Sequence, residues 1–150
     1  MKTGHPTLKD FVFVGLQLVL FIIYILPLKF VEVNLPEGLQ YFGLLLTSLG
    51  FILSLVAVLQ INTKISPFPT PKVKSTLRTT GAFKISRHPI YTGILAITLG
   101  YAMFNASVFK LLIGLSLWVL FYFKSKDEEE LLQHMFPEYK TYKTKTRRFI

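Results

Sequence analysis

Four long stretches without a charged residue constrain this chain more than anything else in it. Phe11 to Leu28 runs 18 residues between Asp10 and Lys29, and Tyr41 to Ile61 lies inside an uncharged run from Gly38 to Thr63. Pro89 to Phe109 runs 21 residues between His88 and Lys110. A backbone that crosses a bilayer must satisfy its own N–H and C=O groups, and roughly 20 apolar residues of α-helix do this across the hydrocarbon. The fourth stretch, Leu111 to Phe123, has 13 residues and is short by that measure. Starting it near Ser107, with Lys110 snorkelling toward the interface, lengthens it. The expected fold is all-α and integral to the membrane, a single domain over 1–150 with four transmembrane helices at about 11–28, 41–61, 89–105 and 107–123. The last two form a helical hairpin turning at Asn105-Ala106-Ser107, and the length of the fourth leaves open whether it crosses completely. A loop over 62–88 and a tail over 124–150 complete the chain, the tail beginning with a short amphipathic helix.

Positive charge orients this bundle. Lys and Arg number 2 before the first span, 1 in the first loop, 6 in the second loop, 1 at the hairpin turn and 7 in the tail. That alternation puts both termini and the long second loop in the cytoplasm. The formal charge of +9 then has a simple explanation, because juxtamembrane cations meet anionic lipid headgroups. Nucleic acid is not an expected partner: the basic residues are split over two segments and no nucleic-acid module is visible. The first apolar run lacks a small-residue cleavage site and is flanked by charges, so it reads as a span and not a signal peptide. With no cysteine there are no disulfides or thiolate–metal sites, and no metal is expected.

Within the spans, Gly43, Thr47 and Gly50 share a helical face, and Gly93 and Gly100 lie seven residues apart. Small residues at such spacing let helices approach closely in lipid, and plain helix packing is the reading adopted for them. They permit a dimer without specifying one, so oligomeric state is open.

The second loop opens with Ser66-Pro67-Phe68-Pro69-Thr70-Pro71, which is extended and semi-rigid. Thr79-Thr80-Gly81 then signals a turn, and Arg87-His88-Pro89-Ile90-Tyr91 leads into the third span with Pro89 suited to its first turn. A loop that merely hands the chain into the membrane accounts for Arg87 on lipid phosphates. It gives no reason for a histidine and a tyrosine at the water line, where polar groups point to function. In the tail, Asp127, Glu128, Glu129 and Glu130 precede Leu131, Leu132, Met135 and Phe136 at helical spacing, and Pro137 ends that helix. Ser125 and Glu128 fit a capping box at its start, although three adjacent glutamates exceed what one cap requires.

Thr79-Thr80-Gly81-Ala82-Phe83 followed by Arg87-His88-Pro89-Ile90-Tyr91-Thr92-Gly93 resembles the core signature of the isoprenylcysteine carboxyl methyltransferase family. Glu128-Glu129, then Leu132, Phe136-Pro137-Glu138-Tyr139 and Tyr142, is similar to that family's closing pattern. The resemblance covers Pro67 to the carboxyl terminus, and the first two spans match only as generic apolar helices. It implies an integral membrane methyltransferase that uses S-adenosyl-L-methionine without a Rossmann sheet. It further implies cofactor binding by Ser75, Thr76, Leu77 and Arg78 from the loop, by Phe83, by His88, Pro89, Ile90 and Tyr91, and by Glu128. Phe83 stands where the family often has tyrosine, keeping a ring without a hydroxyl. Lys124 stands where eukaryotic members have a substrate-contacting arginine, keeping a cation without the bidentate fork.

Lys124 and Arg87 are the candidate catalytic residues. A carboxylate acceptor is already ionised at pH 7 and is favoured by Lys124 nearby, whereas an amine must first lose a proton beside that cation. The expected activity is therefore methylation of a lipophilic acceptor, a carboxylate by this argument, entering from the bilayer. Phospholipid amine N-methylation is the alternative, and a non-enzymatic membrane scaffold is a second. The absence of the extra spans of eukaryotic relatives points to a bacterial or archaeal cell membrane, where the acceptor is not named by the sequence.

Overall fold

A computed structural model describes residues 6–31, 33–61 and 76–150. The described residues form six helices and no strand: α1 Leu8–Ile25, α2 Glu37–Ile61, α3 Ala82–Ile85, α4 Pro89–Phe104, α5 Val108–Met135 and α6 Tyr139–Lys145. Of these, α1, α2 and α5 are long and apolar enough to cross a membrane.

The boundaries depart from the sequence expectation in informative ways. α1 starts at Leu8, where Thr7 and Asp10 cap its first turn, and stops at Ile25 because Pro27 disfavours helical backbone at the residue before it. α4 has 16 residues, about 24 Å of helix, so the third segment is the short one and not the fourth. The fourth runs on as a single helix of 28 residues, about 42 Å, well beyond a hydrocarbon core of ~30 Å. Its apolar part ends at Phe123, and the charged turns that follow project past it.

The separate amphipathic helix expected after residue 124 is therefore the end of α5, and the capping box at Ser125 does not form. Ser125 is buried in mid-helix, and its hydroxyl donates to the Tyr122 carbonyl at 3.0 Å. No glycine or proline interrupts 115–135, so nothing breaks the helix where it leaves the apolar layer.

The tightest pairing is between α2 and α4, which run antiparallel. A Cβ on Gly43 would lie 2.5 Å from the Gly100 carbonyl oxygen, and one on Gly50 would lie 2.6 Å from that of Gly93. The small-residue faces read from the sequence thus meet each other inside one chain. Asn105, Ala106 and Ser107 connect α4 to α5, with Ala106 at φ 48° and the Ser107 hydroxyl accepting from Lys110 N at 3.2 Å.

Apolar packing fixes α5 beneath α4 through Leu95, Leu117, Leu120 and Phe121, with Phe13, Leu20 and Phe21 of α1 on the other flank. α1 is fastened to α5 at both ends. Lys9 pairs with Asp127 at 2.5 Å, and Lys110 Nζ donates to the Tyr24 carbonyl at 2.6 Å.

Candidate functional site

The polar cluster forms where the start of α4 meets the charged end of α5. Gly81, at φ +63°, turns the chain into α3, and the Gln60 side-chain oxygen accepts from Ala82 N at 2.9 Å. Ser86 then anchors the approach to α4. Its buried hydroxyl donates to the Arg148 carbonyl at 2.7 Å, lies 2.9 Å from Thr92 Oγ1 and accepts from His88 N at 3.1 Å. The carboxyl-terminal residues lie alongside, with Arg87 N donating to Arg147 O at 2.8 Å and His88 N to Arg148 O at 3.3 Å. His88 occupies the N-cap position of α4 and Pro89 its first turn, where a missing N–H costs nothing. Tyr91 follows on the next part of that turn.

α5 contributes the anions. His88 Nε2 lies 3.2 Å from Glu129 Oε1, its Nδ1 lies 3.7 Å from Glu128 Oε2, and the Tyr91 hydroxyl donates to Glu128 Oε2 at 3.3 Å. The rings of His88, Tyr91 and Phe121 stack in sequence, with centroids 5.5 and 4.7 Å apart. One turn before Glu128, Lys124 is almost fully buried and holds its ammonium 5.3 Å from the centre of the Tyr91 ring. Lys124 therefore points into the bundle and not toward lipid phosphates.

The two adjacent glutamates have opposite environments. Glu129 is buried and accepts two parallel hydrogen bonds from Arg148, Nε to Oε1 and Nη2 to Oε2, both at 3.0 Å. Arg87 Nη2 lies 3.4 Å from Oε1, and Lys143 Nζ lies 3.7 Å from Oε2. Burial alone would raise the Glu129 carboxyl, but hydrogen bonds from His88 and Arg148, with Arg87 close by, hold it down to about 2. Glu128 keeps 27% of its side chain accessible and, among the described residues, has no guanidinium partner. There the burial of the carboxyl outweighs His88, Lys124 and Tyr91, and the group lies above the ordinary carboxylate range. One glutamate is thus held by a set of cations, and its neighbour keeps part of its carboxylate accessible beside Tyr91 and His88.

Among the described residues, Arg87 Nε and Nη1 and the Tyr139 hydroxyl are buried without a hydrogen bond, although each such group costs about 1–3 kcal/mol when left unpaired.

The structure brings together His88, Pro89, Ile90, Tyr91, Lys124, Glu128 and Arg87 among the residues nominated from sequence. Phe83 joins through its backbone, whose carbonyl accepts the Tyr142 hydroxyl. Thr76 and Arg78 are exposed and Leu77 half-buried, none with a polar contact to the cluster, and Ser75 lies outside the described residues. Glu129, Arg148 and Gln17, whose Oε1 accepts from Lys124 Nζ at 2.7 Å, were not nominated. The signal for Gln17 was available, since it is the lone polar side chain between Asp10 and Tyr24. Arg148 had no signal beyond being one cation in a basic tail.

Comparison with individually characterised proteins gives no match. A family model for phospholipid methyltransferases matches residues 39–139, about two-thirds of the chain, including both halves of the polar cluster. The chain belongs to the phospholipid methyltransferase family, within the superfamily of integral membrane methyltransferases that also holds the isoprenylcysteine carboxyl methyltransferases.

Proposed function

We propose that this protein is an S-adenosyl-L-methionine-dependent methyltransferase acting on a lipophilic carboxylate at the cytoplasmic leaflet. The observation that carries the proposal is the adjacency of a partly accessible carboxylate, Glu128, and a buried cation without an ion pair among the described residues, Lys124, at the Tyr91 side chain. The donor set fits the cofactor's amino-acid end. Glu128 is placed to take an ammonium, and the unpartnered N–H groups of Arg87 suit a carboxylate. His88, Pro89, Ile90 and Tyr91 line that end, and Ser75, Thr76, Leu77, Arg78 and Phe83 are assigned to the nucleoside end on the family resemblance. When bound, the cofactor supplies a methyl group made electrophilic by its sulfonium.

The protein's own contribution is positioning and water exclusion, which provide much of the rate for a transfer that needs alignment more than acid–base help. A carboxylate acceptor needs no base. Lys124 holds its charge beside Tyr91, where such a headgroup arriving from the bilayer meets it. Arg87 orients the start of α4 through Glu129 and offers its free N–H groups to the cofactor.

N-methylation of a phospholipid amine is the second reading, favoured by the family description. Incubating purified protein with methyl-labelled cofactor and membrane lipid extract separates the two. Methyl esters lose label in mild base, which is the expected result; label that resists base establishes amine methylation instead. No transfer to any lipid overturns both.

A further inference from the structure

Gln17 lies nine residues into α1, about 14 Å from its start, with apolar residues and Gly15 on either side in sequence. A primary amide in hydrocarbon is costly unless it finds a partner on another helix. Its partner is Lys124, whose Nζ donates to Gln17 Oε1 at 2.7 Å.

Lys124 itself is the puzzling member. Its four-carbon stem sits at the end of the apolar part of α5, from which an ammonium ordinarily snorkels to water. Here it is turned inward, 1% exposed, over the Tyr91 ring. It has three N–H donors and one hydrogen-bond acceptor, and among the described residues no carboxylate lies within ion-pair distance. Glu128 and Asp10 act on it only from beyond that distance, and a buried cation whose direct partner is neutral is an expensive arrangement. Helix fastening does not explain it, because Lys9–Asp127 and Lys110–Tyr24 already hold α1 at both ends.

We infer that Gln17 is the specificity-determining residue of the acceptor site: a neutral hydrogen-bond acceptor that aims Lys124 beside Tyr91 without entering an ion pair with it, so that the site selects a lipophilic acceptor with an anionic headgroup. This rests on the assignment of Lys124 to the acceptor. α1 becomes a wall of the site and not merely an anchor, although it lies outside the residues the family model covers. An acid at position 17 would form an ion pair with Lys124 and remove the selectivity.

Dodecanoate and dodecylamine share a chain and carry opposite charges at pH 7, so they probe this directly. Each is titrated by calorimetry into the full chain in neutral detergent, without cofactor, for wild type, Gln17→Glu and Gln17→Leu. Wild type is expected to bind dodecanoate at least tenfold more tightly than dodecylamine. Gln17→Glu loses at least tenfold of dodecanoate affinity, about 1.4 kcal/mol, and no longer discriminates against the amine. Gln17→Leu keeps the charge without its aim and loses less. Thermal midpoints in the same detergent show whether each variant is folded, and Gln17→Glu alone decides if the leucine variant is not. Equal wild-type affinities, or undiminished dodecanoate binding by Gln17→Glu, overturns the inference. Failure of the methyltransferase reading is seen separately, as absence of S-adenosyl-L-methionine binding or of label transfer.

Discussion

Replacing Arg148 with glutamine isolates the contribution of the Glu129 cluster. The strap of backbone bonds around residues 86–88 uses the carbonyls of residues 147 and 148, so a side-chain substitution leaves it in place. Glu129 is held at about 2 against an ordinary 4.5, a depression that corresponds to stability on the order of 3 kcal/mol, undiminished by solvent because the carboxylate is buried. A depressed carboxyl contributes its stability above its unfolded value and loses it as pH falls toward the folded one, here between about 4.5 and 2. Arg148 makes two contacts at 3.0 Å, whereas His88 and Arg87 stand at 3.2 and 3.4 Å. Assigning it roughly half of the total gives a loss of about 1.5 kcal/mol, a fall of about 3–6 °C in thermal midpoint for a chain of this size. Thermal unfolding in neutral detergent, repeated from pH 7 downward, measures it. The gap between wild type and Arg148→Gln should be constant above about pH 5 and narrow below it as both carboxylates protonate. Arg148 also lies 5.0 Å from the Tyr122 ring centre, a contact indifferent to Glu129. A gap that stays the same at all pH values would assign the effect to that packing and refute the ion-pair account.

Tyr91→Phe keeps the ring stack but removes the hydroxyl from Glu128, so S-adenosyl-L-methionine affinity measured by calorimetry should fall several-fold, about 1 kcal/mol, with an unchanged thermal midpoint. Gly43→Ala places a methyl group 2.5 Å from the Gly100 carbonyl, and separating α2 from α4 should cost about 1–3 kcal/mol in detergent unfolding. Ala106→Gly relieves a left-handed backbone at φ 48° and should raise the thermal midpoint slightly, by up to about 1 kcal/mol of stability.

The cluster was legible where chemistry left a local mark. His88, Pro89 and Tyr91 stand together at a helix start, and Glu128 follows in a run of acids, so type and spacing alone drew notice. Glu129 was hidden by its neighbour, because two adjacent glutamates look alike until burial and partners separate them. The break expected at Ser125 failed for a related reason. A change from apolar to charged residues marks where a helix leaves the hydrocarbon, and that is a change of solvent, not of backbone conformation.

From the sequence alone came an all-helical membrane protein, its small-residue packing faces and residues from both sides of a polar site. These depend on residue type and period, which lipid and helix geometry read directly. The tertiary structure decided which glutamate is structural, that the carboxyl-terminal residues brace the start of α4, and that Gln17 of α1 reaches Lys124 from 107 positions away. Such contacts depend on how helices are turned against each other. That rotation is set by the summed fit of many apolar side chains, and no single residue along the chain announces it.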